Sequence, residues 1–168
     1  MGTWLNEDGL YIKYDRNAAE MGKAHEFRND GPYHVMEMVL DDLTELTTTA
    51  AIIDDNATLP KNARIEKVEV VTETAVTSGG SAELDVGLIR TDRSTSYDDD
   101  GLVAALAIAS FNAAGETQLL TAGATGAGAL VGTTLANAGL LVASYNTAAF
   151  TAGKVVVRVY YRFISVVD

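Results

Sequence analysis

Three consecutive aspartates, Asp98, Asp99 and Asp100, form the densest group of candidate metal ligands in the sequence. Calcium and other hard cations bind several carboxylate oxygens at once, so the run YDDDG at 97–101 could hold such an ion. A calcium loop alternates its ligands along the chain, however, and that spacing is absent here. We therefore interpret the run as a solvated loop that caps a following helix, with a metal at these aspartates as the alternative.

The two histidines, His25 and His34, do not belong to a recognisable catalytic motif. The segment HEFRN (25–29) begins like a zinc-protease helix, but Asn29 stands where the second histidine ligand is needed. The segment GGSAE (79–83) lacks the glycine spacing of a nucleophile elbow, and the sequence contains no cysteine for thiol catalysis. Nothing selects a pair of carboxylates for glycoside hydrolysis among the 23 acids. Catalysis is therefore unsupported, and we predict a protein that is not an enzyme.

A tract rich in glycine and alanine, TAGATGAGALVGTTLANAGLLVAS (121–144), has no charged residue. A Walker loop requires a lysine after its last glycine, and the tract has none. A dinucleotide fingerprint has a different glycine spacing and needs an acid to hold the ribose, and no acid lies between Thr117 and Val167. We predict no cofactor here, and interpret the glycines as sites of tight turns and of close approach between strands or subunits.

Charge is distributed unevenly along the chain, whose formal net charge is −11. Residues 117–168 contain a single acid, Asp168, and three cations. Because charged residues are rarely buried, this last third should lie in a core or against a partner. The acidic balance opposes binding to phosphate backbones, so we expect no nucleic-acid partner. The first residues lack the basic start of a signal peptide, and no apolar run is long enough for a membrane span, so we expect no membrane association.

The elements that would carry these groups are predicted to be mainly strands. Strand candidates are 9–15, which could also be an extended arm, 33–40 and 44–53. In 64–74 the inward positions Val68, Val70 and Thr72 alternate with charged residues, and a bulge near Glu66 would bring Ile65 into phase. The segment 81–91 alternates in the same way, and we expect it to pair with 64–74 as an antiparallel hairpin across the turn at 78–80.

The remaining segments are predicted as loops, apart from one short helix. Residues 18–32 are expected to form a loop with at most one helical turn, and 54–63 a turn around Pro60. The charged run 92–101 is expected to be a solvated loop. The segment 102–111 is apolar on all sides, which favours a buried helix and leaves a buried strand as the alternative.

The last predicted strand, 154–167, is rich in β-branched and aromatic residues. Alternation places an apolar row on its inward face: Val155, Val157, Val159, Tyr161 and Phe163. Its other face combines Lys154, Arg158 and Arg162 with Val156, Tyr160 and Ile164, and we expect an interface to cover it. The pattern as a whole predicts an all-β protein, an antiparallel β-sandwich of jelly-roll type over 33–168, with an N-terminal arm over 1–32 and at most one short helix.

Two groups of side chains are candidates for contact with a capsid or a second subunit. The first lies in the arm, where aromatic residues could anchor in a partner's pocket or else pack back on the sandwich: Trp4, Leu5, Tyr11 and Tyr14. The second lies on the outer face of the last strand: Arg158, Tyr160 and Arg162.

Several stretches together resemble one family of virus proteins. LPKNARIEKVEVVTETAV, AELDVGLIRTD, the small-residue tract and AAFTAGKVVVRVYYRF are similar to the capsid decoration, or cement, proteins of tailed bacteriophages. The resemblance implies a β-sandwich, usually a homotrimer, which is made in the cytoplasm of the host bacterium and sits on the outside of the virion head. Its partners would be the major capsid protein, whose subunits it bridges, and other copies of itself. A receptor- or carbohydrate-binding sandwich of a phage tail or fibre is the alternative function.

Overall fold

The computed structural model describes the backbone of residues 3–5, 11–13, 24–28, 33–93 and 95–163, with side chains from residue 33 onward. The described residues form β1 (Thr3–Leu5), β2 (Tyr11–Lys13), β3 (Ala24–Arg28), β4 (His34–Leu40), β5 (Ala51–Ile52), β6 (Thr58–Leu59), β7 (Ala63–Ser78), β8 (Glu83–Arg90), β9 (Ser96–Ala107), β10 (Thr117–Thr121), β11 (Gly139–Asn146) and β12 (Phe150–Phe163). Two single 3₁₀ turns, Leu43–Glu45 and Ile108–Ser110, are the helical elements of these ranges. The prediction of an all-β protein is confirmed.

The strands form two five-stranded antiparallel sheets with the apolar core between them. The first sheet has the strand order β10-β7-β12-β4-β3, and the second has β5-β11-β8-β9 with β6 also paired to β11. Strands β1 and β2 form a separate two-stranded sheet. The chain is therefore the predicted antiparallel β-sandwich, while its jelly-roll type and the division at residue 32 stay predictions.

Strand β12 lies at the centre of the first sheet, between β7 and β4. Its predicted inward row is buried at four of five positions, Val155, Val157, Val159 and Tyr161. The fifth position, Phe163, is 47% exposed because it lies at the strand's end, so that part of the prediction is wrong. Ile164 lies outside the described residues.

The predicted bulge in β7 is confirmed at Glu66. Tyr160 pairs with Lys67 and the next residue, Tyr161, pairs with Ile65, so Glu66 is the extra residue of β7. A bulge of this kind reverses the facing of the residues beyond it. As a result Ile65 is buried in the core together with Val68.

The prediction that 64–74 and 81–91 pair with each other is wrong. Strands β7 and β8 belong to different sheets, because the chain crosses the core over residues 79–82. Two consecutive amphipathic strands can bury their apolar faces side by side in one sheet or face to face across about 10 Å, and alternation alone does not distinguish the two arrangements. Here Val70 on one strand and Leu88 on the other contribute to the same core from opposite sides.

The predicted loop at 92–101 and helix at 102–111 are replaced largely by one strand, β9. The alternative of a buried strand is the correct one for the apolar segment, where Leu102 and Val103 are buried. Strand β9 bulges strongly, because Val86 pairs with Val103 whereas Leu88 pairs with Asp98. Pairing with β8 overrides the low strand propensity of the aspartates.

The uncharged tract joins the edges of the two sheets. On one side it runs along β9, with hydrogen bonds from Ala104 N to Gly126 O (2.9 Å) and from Leu130 N to Gly101 O (2.8 Å). It then reaches the start of β7, where Ile65 N donates to the carbonyl oxygen of Thr133 (2.9 Å). Its side chains Val131 and Leu135 are buried, and so is most of the adjoining β11. The expectation that this part of the chain lies in a core is confirmed for these residues, whereas nine of the 18 residues of 121–138 are exposed.

Three shorter predictions also need correction. Residues 44–53, expected as a strand, contain part of the first 3₁₀ turn and the two-residue β5. The turn at 54–63 includes the short strand β6. The expected loop at 18–32 contains β3, which pairs with β4 and so extends the first sheet. The described residues contain no helix with the length and apolar character that crossing a bilayer requires.

Candidate interaction surfaces

The cations of β12 lie in a row on the outer surface of the first sheet, as predicted. Because successive side chains of a strand point to opposite faces, Arg158, Tyr160 and Arg162 share this surface with Lys154. Strands β4 and β7 flank the row and supply carboxylates at matching register positions. We call this outer surface of β4, β7 and β12 the ion-pair face.

Arg158 is the centre of the ion-pair face. Its Nε donates to Glu37 Oε2 (2.8 Å) on β4, and a terminal guanidinium nitrogen donates to Glu69 Oε2 (3.3 Å) on β7. The hydrogen bond to Glu37, more than the one to Glu69, raises the pKa of Arg158. Both glutamates are mostly buried, with 15% and 20% of their side chains exposed. A single cation thus compensates two carboxylates on different strands.

Tyr160 joins the same network. Its hydroxyl donates to Glu69 Oε2 (3.1 Å), and the ammonium of Lys67 lies 4.2 Å from the centre of its ring. Burial, followed by the negative charge of Glu69, raises the pKa of Tyr160, so the hydroxyl keeps its proton. The phenol is therefore fixed as a hydrogen-bond donor within the sheet.

Two further groups of ion pairs lie at the ends of the ion-pair face. At one end Arg162 Nε donates to Glu66 Oε1 (2.7 Å), which also accepts from Arg64 Nε (3.1 Å). The bulged residue Glu66 therefore supplies the carboxylate for both arginines. At the other end Lys154 Nζ lies 3.0 Å from Glu73 Oε2 and 3.2 Å from Asp41 Oδ1. The charges of the ion-pair face are therefore largely neutralised within the chain.

The predicted contact residues of the arm lie in the separate two-stranded sheet. Trp4 and Leu5 are in β1 and pair through the backbone with Ile12 and Tyr11 of β2. Tyr14 lies outside the described residues. The structure brings Trp4, Leu5 and Tyr11 together in one hairpin, and Arg158, Tyr160 and Arg162 together on the sandwich. The contact role of both groups stays a prediction.

The three aspartates lie at the start of the strong bulge of β9, and we call Asp98–Asp100 the acidic bulge. One carboxylate oxygen from each of the three lies within 4.8 Å of the others. Glycines allow the backbone to pack this closely: a Cβ on Gly87 would overlap the backbone of Asp98 and Asp99, and one on Gly128 would overlap the carbonyl groups of Asp100 and Gly101.

Burial and like charges both act on the acidic bulge. Burial, then a hydrogen bond and repulsion from Asp100, raises the pKa of Asp98 to about 6. Burial also raises the pKa of the neighbouring Asp85, whose carboxylate accepts a hydrogen bond from Ala105 N (2.6 Å). Oxygen ligands of this kind suit a hard cation, although such ions take six or more of them. The predicted loop and helix cap are wrong here, because the aspartates belong to a strand.

The histidine motifs have structural explanations in the described residues. His34 stacks on Tyr161, with ring centres 5.3 Å apart, and meets the edge of Phe163. The segment resembling a zinc-protease motif requires a helix, whereas residues 24–28 are strand β3. Sequence reasoning missed Glu37 and Glu69, the partners of Arg158, because residues this distant along the chain give no local signal.

The fold defined by these elements is a two-sheet antiparallel sandwich, and it has relatives among solved structures. It is similar to a chain from the capsid of Ralstonia phage GP4, with a TM-score of 0.55 and 15% identity over 84% of this chain and 92% of that chain. It is also similar to a chain of the cyanophage Pam1 capsid asymmetric unit, with a TM-score of 0.53 and 21% identity over 89% of this chain and 98% of that chain. No protein-family model and no curated protein sequence matches the chain. At these identities the shared property is the fold.

Proposed function

We propose that this chain is a non-enzymatic structural protein of a phage virion, bound to the outside of the capsid and stabilising it by bridging capsid subunits. The observation that carries the proposal is the similarity of fold to chains of two phage capsids, of which this chain spans 92% and 98%. Because the alignment covers nearly all of each neighbouring chain, those chains are of similar extent and have few residues outside the shared fold. We infer from this extent that the chain is an accessory protein of the shell.

The surface chemistry is consistent with a bridging role. A clamp needs no catalysis; it needs weak contacts repeated by symmetry, so that avidity replaces the affinity of any single contact. The net charge of −11 keeps unbound copies apart in the host cytoplasm. The ion-pair face is locally neutralised, so a partner can approach it against less repulsion than elsewhere. We assign Arg158, Tyr160 and Arg162 to this contact with the major capsid protein, and Trp4, Leu5, Tyr11 and Tyr14 to a second contact through the arm.

Binding to undecorated heads tests the proposal. The purified chain should cosediment with heads that lack it and raise their thermal disruption temperature. Arg162→Glu should weaken binding by about tenfold, because it places an acid beside Glu66 on the contact face. Arg93→Glu is the matched control, since Arg93 is similarly exposed (54% against 48%) and also pairs with one acid, Asp55.

Each result discriminates between the possibilities. Failure of the chain to bind undecorated heads would contradict the proposal. Binding to glycans instead would indicate the tail or fibre alternative. If Arg162→Glu and Arg93→Glu weaken binding to heads equally, the ion-pair face is not the contact surface, although the chain still binds the capsid. Native mass measurement of the chain tests the predicted homotrimer separately.

A further inference from the structure

Strand β10 is an open edge of the first sheet. It pairs with β7 on one side and has no strand on the other within the described residues. Thr72 N donates to Glu116 O (2.9 Å). Because hydrogen-bonded positions alternate along an antiparallel strand, the even-numbered residues Gln118 and Leu120 of β10 bond to β7. The N–H and C=O groups of Thr117, Leu119 and Thr121 consequently point away from the sheet. The carbonyl of Thr121 accepts from Ala124 N, and none of the described residues bonds to the backbone of Leu119.

This edge lacks the features that normally prevent pairing. Edge strands are usually protected by lysine, proline or inward-pointing charge. The strand TQLLT has none of these, and Leu119 is 52% exposed at its centre. Glu69, the residue across from Leu119 on β7, is paired with Arg158. An extended segment can therefore add to β10 without meeting an uncompensated charge.

The sequence of the strand indicates which segment fits. TQLLT is nearly palindromic, so two copies can pair antiparallel about a two-fold axis through Leu119. That register sets Leu119 opposite Leu119 of the second copy and Thr117 opposite Thr121. The outward backbone groups of one strand then meet those of the other, as an antiparallel ladder requires. Two chains of net charge −11 repel at most surfaces, and an uncharged edge reduces that repulsion.

We propose that β10 is a two-fold pairing edge for a second copy of this chain, which joins two five-stranded sheets into one of ten strands. Five residues bury far less than the ~1,000 Å² of a stable interface, so the contact is weak between isolated copies. It gains strength where copies are held close together, as on the surface of a particle. The contact is compatible with a trimer assembled through other surfaces, because it would then link neighbouring trimers.

Single-cysteine variants test the register, since the chain has no cysteine of its own. Residues opposite each other in a hydrogen-bonded antiparallel pair have Cα atoms about 5.5 Å apart, within disulfide range. Leu119→Cys at about 1 mM under mild oxidation should form covalent dimers roughly tenfold faster than Phe163→Cys. Phe163 is the matched control because it is the other large exposed apolar residue described, at 47%.

A mixed experiment fixes the direction of pairing. Thr117→Cys and Thr121→Cys should each dimerise slowly alone, because identical positions lie about 13 Å apart in this register. Mixed together, they should form the heterodimer at the rate of Leu119→Cys. The proposal is overturned if Leu119→Cys crosslinks no faster than Phe163→Cys, or if the mixture gives no excess of heterodimer. Head binding by the unmodified chain is scored separately, so either proposal can fail without the other.

Discussion

The ion-pair face and the acidic bulge hold carboxylates in opposite electrostatic environments. On the ion-pair face Glu37 and Glu69 share Arg158, and each lies within hydrogen-bond distance of its guanidinium. In the acidic bulge Asp98 lies beside Asp99 and Asp100, and the pKa of Asp98 is raised to about 6. The first arrangement pairs its acids with a cation, whereas the second penalises the charged form of Asp98.

The two regions therefore depend on different forces. Cross-strand ion pairs contribute to the register of β4, β12 and β7. The acidic bulge is held against its own repulsion by backbone packing, in which Gly87 and Gly128 allow close approach. Substitutions can separate these forces. Gly128 tests the backbone packing, Arg158 the ion pairs and Asp98 the charge of the acidic bulge.

The largest effect is expected from filling the space beside Gly128. Gly128→Ala adds a methyl group that overlaps backbone atoms of Asp100 and Gly101, and backbone cannot move aside as a side-chain tip does. We expect a loss of about 3 kcal/mol in the free energy of unfolding, measured by urea denaturation. Gly79→Ala is the control, since nothing lies within 4 Å of its added Cβ, and it should change stability little. Equal effects at the two glycines would show that packing does not hold the acidic bulge.

Removing the shared cation should have a smaller effect. Arg158→Met leaves the apolar stem but strips both Glu37 and Glu69 of their partner, and these acids are mostly buried. We expect a loss of about 2 kcal/mol at pH 7, between the values typical of exposed and of buried pairs.

Arg93→Met is the control for that change. Arg93 also forms an ion pair, 3.0 Å from Asp55, but both side chains are more than half exposed. Its removal should cost less than about 0.5 kcal/mol. If the two variants are equally stable, the network around Arg158 contributes no more than an exposed pair.

The sequence predicts the ion-pair face better than the acidic bulge. The two-residue period of β12 placed Arg158, Tyr160 and Arg162 on one face, and the phase error at Ile65 indicated the bulge at Glu66, because both are local properties of a strand. The partners Glu37 and Glu69 depend on the register of three strands that are distant in the chain, and no local pattern contains that information.

The acidic bulge departs from its predicted structure for a physical reason. Consecutive aspartates are depleted from strands and typical of loops, so composition favoured a loop at 92–101. Their inclusion in β9 depends on the pairing of Asp98 with Leu88 of β8, and on hydrogen bonds from the uncharged tract to the residues that follow them, Gly101 and Leu102. Tertiary pairing outweighs local preference here. The same pairing requires a glycine at position 128 of the tract, because Gly128 packs against the carbonyl groups of Asp100 and Gly101.

Removing the charge of Asp98 should stabilise the protein modestly and only at neutral pH. The folded-state pKa of Asp98, about 6, lies above its ordinary value of 3.8, so the folded chain binds this proton more tightly than the unfolded chain does. The stability that this proton contributes is fully present below pH 4 and is lost as the pH rises through 6. Asp98→Asn keeps the side chain neutral throughout. We expect it to raise the free energy of unfolding by about 1 kcal/mol at pH 7, a value reduced by solvent screening of this half-buried group, and to have little effect at pH 4.

Asp55→Asn is the control for the removal of one negative charge, because Asp55 is 62% exposed and sits beside Arg93 rather than among acids. It should leave stability at pH 7 unchanged or slightly lower. Urea denaturation of both variants and the parent at pH 4 and pH 7 gives the comparison directly. If Asp98→Asn gains as much at pH 4 as at pH 7, its effect comes from packing or hydrogen bonding and not from charge, and the acidic bulge is then no more repulsive than the ion-pair face.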